Sequence, residues 1–392
     1  MCNRTSFFIA SILSLCFLIA ISSVAQTAPS SPVEALYVVN NGGIQTYDVN
    51  PQTGIPTDEG LTVVEPESPT VFPSANDHFL YVLGTNPGSG KQELWVYATT
   101  ATGVPQTEIQ QVNLPNYVSD FTIERSGALA YAVWSNRNSH GEEAAGIFLF
   151  SINPTTGLVT AGPTLVATYP PNGPCDPGAF AGLGLIGFNP SGNQLDESWF
   201  CDDHDSVTAT YYTRQVDQQT GALGPDVQIF TWLNGSQGSV YVNITPAALF
   251  DFNIPNDFNK GISSLSVYPP TGGTMPLFTC TTAMLKACGY ALSDSVDPSG
   301  NYVLFQVGTN NTQITKVDLP AGQIVNTGNF IPDLVMSFSP DGTLIYTHDV
   351  NVTSSWIIPI YLFNPATGGV KAGGQISLPP PFFFTVVPAV RN

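Results

Sequence analysis

The residues best suited to chemistry form a short acidic run near the middle of the chain, Cys201-Asp202-Asp203-His204-Asp205. Carboxylate oxygens bind Ca²⁺, and a histidine beside carboxylates can bind transition metals. The run lacks the alternating Asp and Gly spacing of a dedicated calcium loop, so a solvated acidic loop is the alternative interpretation. On the chemistry of its side chains, the run is a candidate for a weak structural site for a divalent cation such as calcium. The candidate ligands are Asp202, Asp203, His204 and Asp205, and no other cofactor is predicted.

Cysteine spacing indicates structural bridges rather than a redox or zinc site. Cys175, Cys201, Cys280 and Cys288 remain once the two cysteines of the first 25 residues are set aside. An even number of cysteines in an exported chain favours disulfides, and these spacings match neither a CxxC pair nor a zinc pattern. Proximity along the chain favours Cys175–Cys201 and Cys280–Cys288, although three pairings remain open.

The first 25 residues have the pattern of a secretory signal. Arg4 is followed by an apolar run over residues 7–21 and by the small residues Ser23-Val24-Ala25. The run is too short for a comfortable membrane span, so we expect cleavage near Ala25. The sequence thus predicts a signal peptide over 1–25, a single domain over 26–392 without a membrane span, and a secreted or periplasmic location.

Composition excludes several classes of protein. Charged residues make up 10% of the 392 residues, against roughly 25% in an average soluble protein. Because 29 acids face 10 bases, for a net charge of −19, the chain is a poor partner for nucleic-acid phosphates. Gly and Pro number 36 and 33, and strong helix formers are scarce, so an all-β, loop-rich protein is expected.

One element recurs seven times along the chain, a β-rich segment that ends in a polar turn closed by glycine. Its clearest copies cover residues 44–54, 147–157 and 361–368. Glycine allows the positive φ of a tight strand reversal, and a preceding Asn-Pro stiffens the approach. The seven turn glycines are Gly54, Gly103, Gly157, Gly221, Gly272, Gly322 and Gly368.

A second turn element interleaves with the first, as in Ser337–Gly342, Ser295–Gly300 and Gly187–Gly192. Two hairpin turns in about 50 residues imply four strands per unit, so seven units predict a seven-bladed β-propeller. Residues 380–388 align with the inner-strand segment 332–340, whereas the N-terminal segment from Ala35 matches a second strand. We therefore expect residues 382–388 and 35–49 to share one blade, which closes the ring and removes exposed edges.

Three aspartates fall near the start of predicted inner strands: Asp120, Asp294 and Asp333. Propeller ligands bind where such residues converge, so all three are candidates for the mouth of the central channel. The alternative is that their carboxylates cap backbone amides at strand ends. The longest interval between turn glycines, before Gly221, holds both the acidic run and a Pro-rich stretch, and such an insertion in blade 4 is a second candidate for recognition.

The paired signals over residues 47–54 and 338–346 resemble those of the bacterial lactonase-like propellers, which include propeller-type 6-phosphogluconolactonases and YVTN-repeat surface proteins. The resemblance covers nearly the whole chain after the signal segment, but its motifs are structural turns that specify the fold better than the activity. It implies, for the enzymes of the group, His, Arg and Glu around the central channel. The predicted inner strands 117–121, 183–187 and 290–294 contain no His or Arg.

Two functions follow as hypotheses. The first is a secreted, monomeric, non-catalytic propeller that binds a protein, a glycan or a small neutral ligand at the channel mouth or at the blade 4 insertion. The second is an exported lactone hydrolase or isomerase acting at the channel. The shortage of bases and the missing acid–base residues favour the first hypothesis.

Overall fold

A computed structural model describes residues 33–40, 43–74, 76–137, 143–169, 180–188, 192–202, 207–234, 239–254, 264–270, 275–281, 294–307, 311–348, 356–378 and 385–391. The proposed signal segment and the acidic loop 203–206 lie outside these residues. The described part of the chain consists of strands and turns and contains no helix that could cross a membrane.

The strands form seven antiparallel sheets of four, as the repeats predict. We number the blades by their Thr-Gly turns. The strands of the first four blades are as follows. Blade 1 contains β1 (Val33–Asn40), β2 (Gly43–Val49) and β3 (Pro56–Thr62); blade 2 contains β4 (Glu67–Pro73), β5 (Phe79–Thr85), β6 (Gln92–Thr99) and β7 (Pro105–Asn113); blade 3 contains β8 (Tyr117–Ile123), β9 (Leu129–Arg137), β10 (Glu143–Ile152) and β11 (Val159–Tyr169); blade 4 contains β12 (Phe180–Phe188), β13 (Gln194–Asp202), β14 (Val207–Gln215) and β15 (Val227–Asn234).

The remaining strands complete the ring. Blade 5 contains β16 (Ser239–Ile244), β17 (Leu249–Ile254), β18 (Ser264–Tyr268) and β19 (Phe278–Thr281); blade 6 contains β20 (Asp294–Val296), β21 (Tyr302–Val307), β22 (Asn311–Asp318) and β23 (Gln323–Ile331); blade 7 contains β24 (Leu334–Phe338), β25 (Leu344–His348), β26 (Trp356–Asn364) and β27 (Gly369–Leu378); and β28 (Thr385–Arg391) belongs to blade 1.

The ring of blades closes in the blade that the repeats predict. Strand β28 pairs antiparallel with β1, with Leu36 opposite Pro388 and Val39 opposite Thr385. The C-terminal strand is thus the inner strand of the blade that the N-terminal segment begins, which confirms the prediction. The strand begins at Thr385, three residues later than the predicted segment 382–388.

The Thr-Gly turns join the third and fourth strands of each blade. Six of the seven turn glycines lie in described segments, and all six have φ between 62° and 80°, a region that side chains with a Cβ rarely occupy. The side chain of Asn153 accepts hydrogen bonds from the amides of Thr155 and Thr156, and Asn364 does the same in blade 7. Asparagine therefore favours the turn by capping its amides as well as by preceding proline.

Tyrosines of the second strands connect each of three blades to the next. The hydroxyl of Tyr81 donates to the carbonyl oxygen of Gly157 at 2.9 Å, and that of Tyr131 donates to Gly221 at 2.8 Å. Tyr37 donates to Gly103 at 3.1 Å. The recurring tyrosine and the recurring Thr-Gly turn are therefore two halves of one contact between neighbouring blades.

The hydrophobic core lies between the blades rather than within them. One cluster joins Leu36 and Val38 of blade 1 to Tyr346 and Ile358 of blade 7, and others connect blades 1 with 2, 2 with 3, 3 with 4, 5 with 6, and 6 with 7. At these six interfaces the sheets bury their faces against each other, which favours the ring as the folding unit.

Candidate ligand site at the central channel

The seven inner strands, β28, β4, β8, β12, β16, β20 and β24, are the first in their sheets and surround the axis. Because an inner strand is the blade edge nearest the axis, its exposed side chains line the channel. Most of these side chains are uncharged in the described segments: Thr70 and Ser119 are exposed, as are Met336 at 38% and Tyr117 at 64%. Glu67, at the start of β4, is an exposed acid on the same wall. The wall therefore offers hydroxyl groups, a thioether, one phenol ring and a carboxylate.

Irregular pairing shapes this wall. The ladders shift between Glu67 and Thr70 in β4, between Val118 and Asp120 in β8, and between Leu183 and Ile186 in β12. A bulge inserts an extra residue and redirects side chains, and bulges are common next to binding sites. Ser68, within the first bulge, has φ of 52°, a conformation that costs a non-glycine residue free energy and often occurs at functional sites.

Asp120 connects two of these bulges. Its Oδ2 accepts a hydrogen bond from the backbone amide of Ile186 at 2.9 Å, and its Oδ1 accepts one from the amide of Phe121 at 2.8 Å. Burial raises the pKa of the Asp120 carboxyl above its usual value, and the two amides offset part of that effect. The carboxylate caps backbone amides across the boundary of blades 3 and 4, as the alternative interpretation of the sequence predicts.

The other two predicted aspartates do not join Asp120 in a described cluster. Asp333 precedes β24 as expected, but its side chain is 6% exposed and accepts a 2.6 Å hydrogen bond from the hydroxyl of Tyr361. Asp294 begins the inner strand β20, and its side chain lies outside the described residues. A role of either residue in ligand binding stays a prediction.

The predicted metal and disulfide residues fall mostly outside the described part of the chain. Asp203, His204 and Asp205 lie in the omitted loop, and only the backbone of Asp202 is described, at the end of β13. No group of three potential metal ligands occurs among the described residues. Cys280 is fully buried in the core shared by blades 5 and 6, Cys201 lies on β13, and Cys175 and Cys288 lie outside the described residues, so both pairings stay predictions.

Sequence reasoning missed one cluster of ionisable residues, located between blades 3 and 4. Arg214 Nε lies 2.9 Å from Glu197 Oε1, with side-chain exposures of 12% and 0%. The Arg214 Nη2 donates to the hydroxyl of Tyr169 at 3.0 Å, and that hydroxyl donates to Glu197. Burial raises the pKa of Glu197, and the Arg214 charge lowers it in part.

The signal for this cluster is present in the sequence. Strand β13 carries Asp196-Glu197-Ser198 where the second strands of blades 2 and 3 carry the apolar runs 79–83 and 129–133. The cluster lies on second, third and fourth strands, away from the inner strands on which a catalytic pair was sought. Both carboxylate oxygens of Glu197 have partners within the interface, namely Arg214 and the Tyr169 hydroxyl. The cluster therefore supports the packing of two blades.

No protein-family model and no curated protein sequence matches the chain. Solved structures do match. A candidate 6-phosphogluconolactonase from Bacteroides fragilis has a TM-score of 0.57 at 15% identity, covering 92% of this chain and 99% of that chain. One from Bacteroides uniformis has a TM-score of 0.55 at 16% identity, covering 90% and 99%.

The chain has the fold of a seven-bladed β-propeller. Prolyl oligopeptidase B from Galerina marginata also matches, with a TM-score of 0.56 at 11% identity, covering 89% of this chain and 51% of that chain. Likeness at such identities shows the propeller fold alone, because unrelated reactions share it.

Proposed function

We propose that the protein is an exported binding propeller that holds a small neutral ligand of the carbohydrate class in its central channel without transforming it. The observation that carries the proposal is the state of Asp120, whose carboxylate is held by two backbone amides. A carboxylate used in this way fixes the geometry of the wall and is poorly placed to exchange a proton with a ligand. The other charged side chain that the structure shows exposed on this wall is Glu67, at the start of β4.

The chemistry of the wall indicates the class of ligand. Ser119 and Thr70 offer hydroxyl groups that donate and accept hydrogen bonds, and Tyr117 and Met336 offer apolar surface. Sugar rings combine hydroxyl groups with apolar C–H faces, so these four side chains complement a sugar ring through uncharged contacts. Export follows from the signal segment over 1–25 and is part of the same proposal.

Lactone hydrolysis is the second candidate, and the structural likeness to two candidate 6-phosphogluconolactonases favours it. That reaction needs a general acid or base and a stabilised oxyanion, and a phosphorylated substrate also needs cations. Among the described inner strands the only cationic residue is Arg391, at the end of β28. A neutral lactone would be the substrate that this wall could accommodate.

Binding and turnover can be measured on the same preparations. The wild-type protein is assayed by isothermal titration calorimetry against neutral mono- and oligosaccharides, and for hydrolysis of glucono-δ-lactone and its 6-phosphate. We expect saccharide binding that weakens at least tenfold in Ser119→Trp, which fills the channel. The control Ser89→Trp changes an exposed serine in the β5–β6 loop and should bind as the wild type does.

Turnover of a lactone would contradict the non-catalytic proposal if it disappeared in Ser119→Trp and in Asp120→Asn but persisted in Ser89→Trp. Unchanged saccharide binding in Ser119→Trp would place the ligand elsewhere and would also contradict the proposal.

A further inference from the structure

A second pocket, of about 220 Å³, lies between blades 2 and 3, at the opposite end of the blades from Tyr117. Its lining includes Asn76 and Phe79 of blade 2 and Arg125, Ser126 and Pro154 of blade 3. Strand β8 runs from Tyr117 to Ile123 and is followed directly by the turn that carries Arg125. This pocket is therefore separate from the bulged part of the channel wall.

The pocket exists because a contact between neighbouring turns is missing here. At other interfaces the turn glycine of one blade packs on the preceding blade's turn: the ideal Cβ position of Gly342 is 3.3 Å from Pro298, that of Gly300 is 2.2 Å from Thr245, and that of Gly192 is 2.8 Å from Glu124. For Gly127, the nearest described atom belongs to Pro154 of its own blade, at 3.6 Å. Space therefore remains between the turns of blades 2 and 3.

Arg125 stands where this chain's own repeats carry proline. The equivalent turns contain Pro190, Pro298 and Pro340, each followed by Ser-Gly or Asp-Gly, whereas blade 3 has Arg125-Ser126-Gly127. The turn of blade 2 also departs from the repeat in sequence, since Asp77 takes the place of the turn glycine, with φ of 50°. The side chain of Asn76 donates across the interface to the carbonyl oxygen of Pro154 at 3.5 Å. Both turns that line the pocket thus differ in sequence from the turns of blades 4, 6 and 7.

The guanidinium of Arg125 is available to a ligand. The residue is exposed, and within the described segments its side chain makes no hydrogen bond and no ion pair. The nearest acid in sequence, Glu124, accepts hydrogen bonds from the amide and hydroxyl of Ser126 and faces Gly192 of blade 4. Asp77 is buried and accepts a hydrogen bond from Tyr37.

From these observations we propose that the pocket binds a small organic carboxylate with a single ring, such as a sugar acid. Arg125 pairs with the carboxylate through two parallel N–H···O bonds. The ring of the ligand lies against Phe79 and Pro154, and Asn76 supplies an amide for its hydroxyl groups. A volume of about 220 Å³ is below the range of drug-sized ligand sites and suits one ring.

One arginine is sufficient for this ligand, although the shortage of bases argues against sites that need several cations. The distant acids of this chain are largely screened at physiological ionic strength, where the Debye length is about 8 Å. A phosphorylated sugar would need more positive charge than the described pocket offers, so a monoanion is the class that fits.

The test uses the full-length mature protein and saturation-transfer NMR titrations with D-glucuronate and, as the neutral counterpart, D-glucose. We expect saturable binding of D-glucuronate and at least tenfold weaker binding of D-glucose. Arg125→Gln should weaken D-glucuronate binding at least tenfold, and so should Arg125→Pro, which restores the turn sequence of blades 4, 6 and 7 and should therefore fold normally.

Lys91→Gln is the matched control, because it removes an exposed base from the β5–β6 loop and should leave D-glucuronate binding unchanged. Circular dichroism of each variant verifies the fold. Equal binding of the two sugars, or unchanged D-glucuronate binding in both Arg125 variants, would overturn the assignment. An equal loss in Lys91→Gln would also overturn it, since it would show a response to net charge alone.

Discussion

At the scale of single residues, Glu34 is the most unusual group in the described part of the chain. It lies on β1 and is 2% exposed, in contact with blade 7 across the closing interface. The hydroxyl of Tyr346 donates to its Oε1 at 2.6 Å, whereas its Oε2 has no hydrogen-bond partner among the described groups. Burial raises the pKa of Glu34 to about 8, the Tyr346 hydroxyl lowers it in part, and nearby Asp341 raises it further.

This carboxyl predicts that the protein loses stability as the pH rises. A group whose pKa is higher in the folded than in the unfolded state binds protons on folding. The protonated Glu34 contributes its full stabilisation below pH 4.5, the pKa of the unfolded state. That stabilisation is lost as the pH rises from 4.5 to about 8. The total loss in the free energy of unfolding is roughly 3 to 5 kcal/mol. Urea unfolding at pH 5, 6.5 and 8 should show the decline.

Glu34→Gln should remove most of this pH dependence, because the amide is neutral and similar in shape. The variant should be less sensitive to pH between 5 and 8 and more stable than the wild type at pH 8. Glu59→Gln, on β3 of the same blade, is the control and should keep the wild-type slope. A wild-type slope in Glu34→Gln would show that other groups govern the decline.

At the scale of elements, the contact between a second-strand tyrosine and a Thr-Gly turn explains why both recur. The turn glycine must adopt positive φ, and the neighbouring blade packs directly on it. The ideal Cβ position of Gly157 would lie 2.3 Å from the Phe79 ring, whereas that of Gly90, in a hairpin with φ of 67°, has no atom within 4 Å. The two glycines share backbone strain but differ in packing.

This difference predicts unequal costs for the same substitution. Gly90→Ala should cost about 1 kcal/mol, the penalty of a left-handed backbone for a residue with a Cβ. Gly157→Ala should cost about 3 kcal/mol or more, because overpacking against Phe79 is added to that penalty. Free energies of unfolding from urea titrations measure both, and equal losses would show that the interface relaxes around the methyl group.

Features that depend on local chemistry could be predicted from the sequence. Glycine marks the turns because they need positive φ, and asparagine marks them because its side chain caps their amides. The number of strands, the number of blades and the closure of the ring could therefore be predicted from the sequence. Capping of backbone amides by Asp120 was one of two interpretations of the sequence, but its partner was not predictable, because the contact depends on a bulge in β8 and on the amide of Ile186, 66 positions away. The pair of Glu197 and Arg214 was missed because neither lies on an inner strand, and the Arg125 pocket requires the three-dimensional spacing of two turns.

At the scale of the whole molecule, the ring depends on one strand that is remote in sequence from the rest of its blade. Strand β28 supplies the inner edge of blade 1, and seven residue pairs join it to β1. Its partly buried Val387 and buried Ala389 pack in the cluster shared with blade 2. Without β28, the backbone groups of β1 that face the axis would lose their partners.

Removal of this strand should therefore weaken the whole ring rather than one blade. A chain that ends at residue 378 exposes the edge of β1 and uncovers the blade 1–2 core, so we expect association through the free edge and a lower, broader unfolding transition. Size-exclusion chromatography and thermal unfolding followed by circular dichroism measure the two effects. A chain that lacks only Asn392 is the control and should behave as the wild type does. If the shortened chain stayed monomeric with an unchanged transition, blade 1 would be stable on three strands and closure would contribute little to stability.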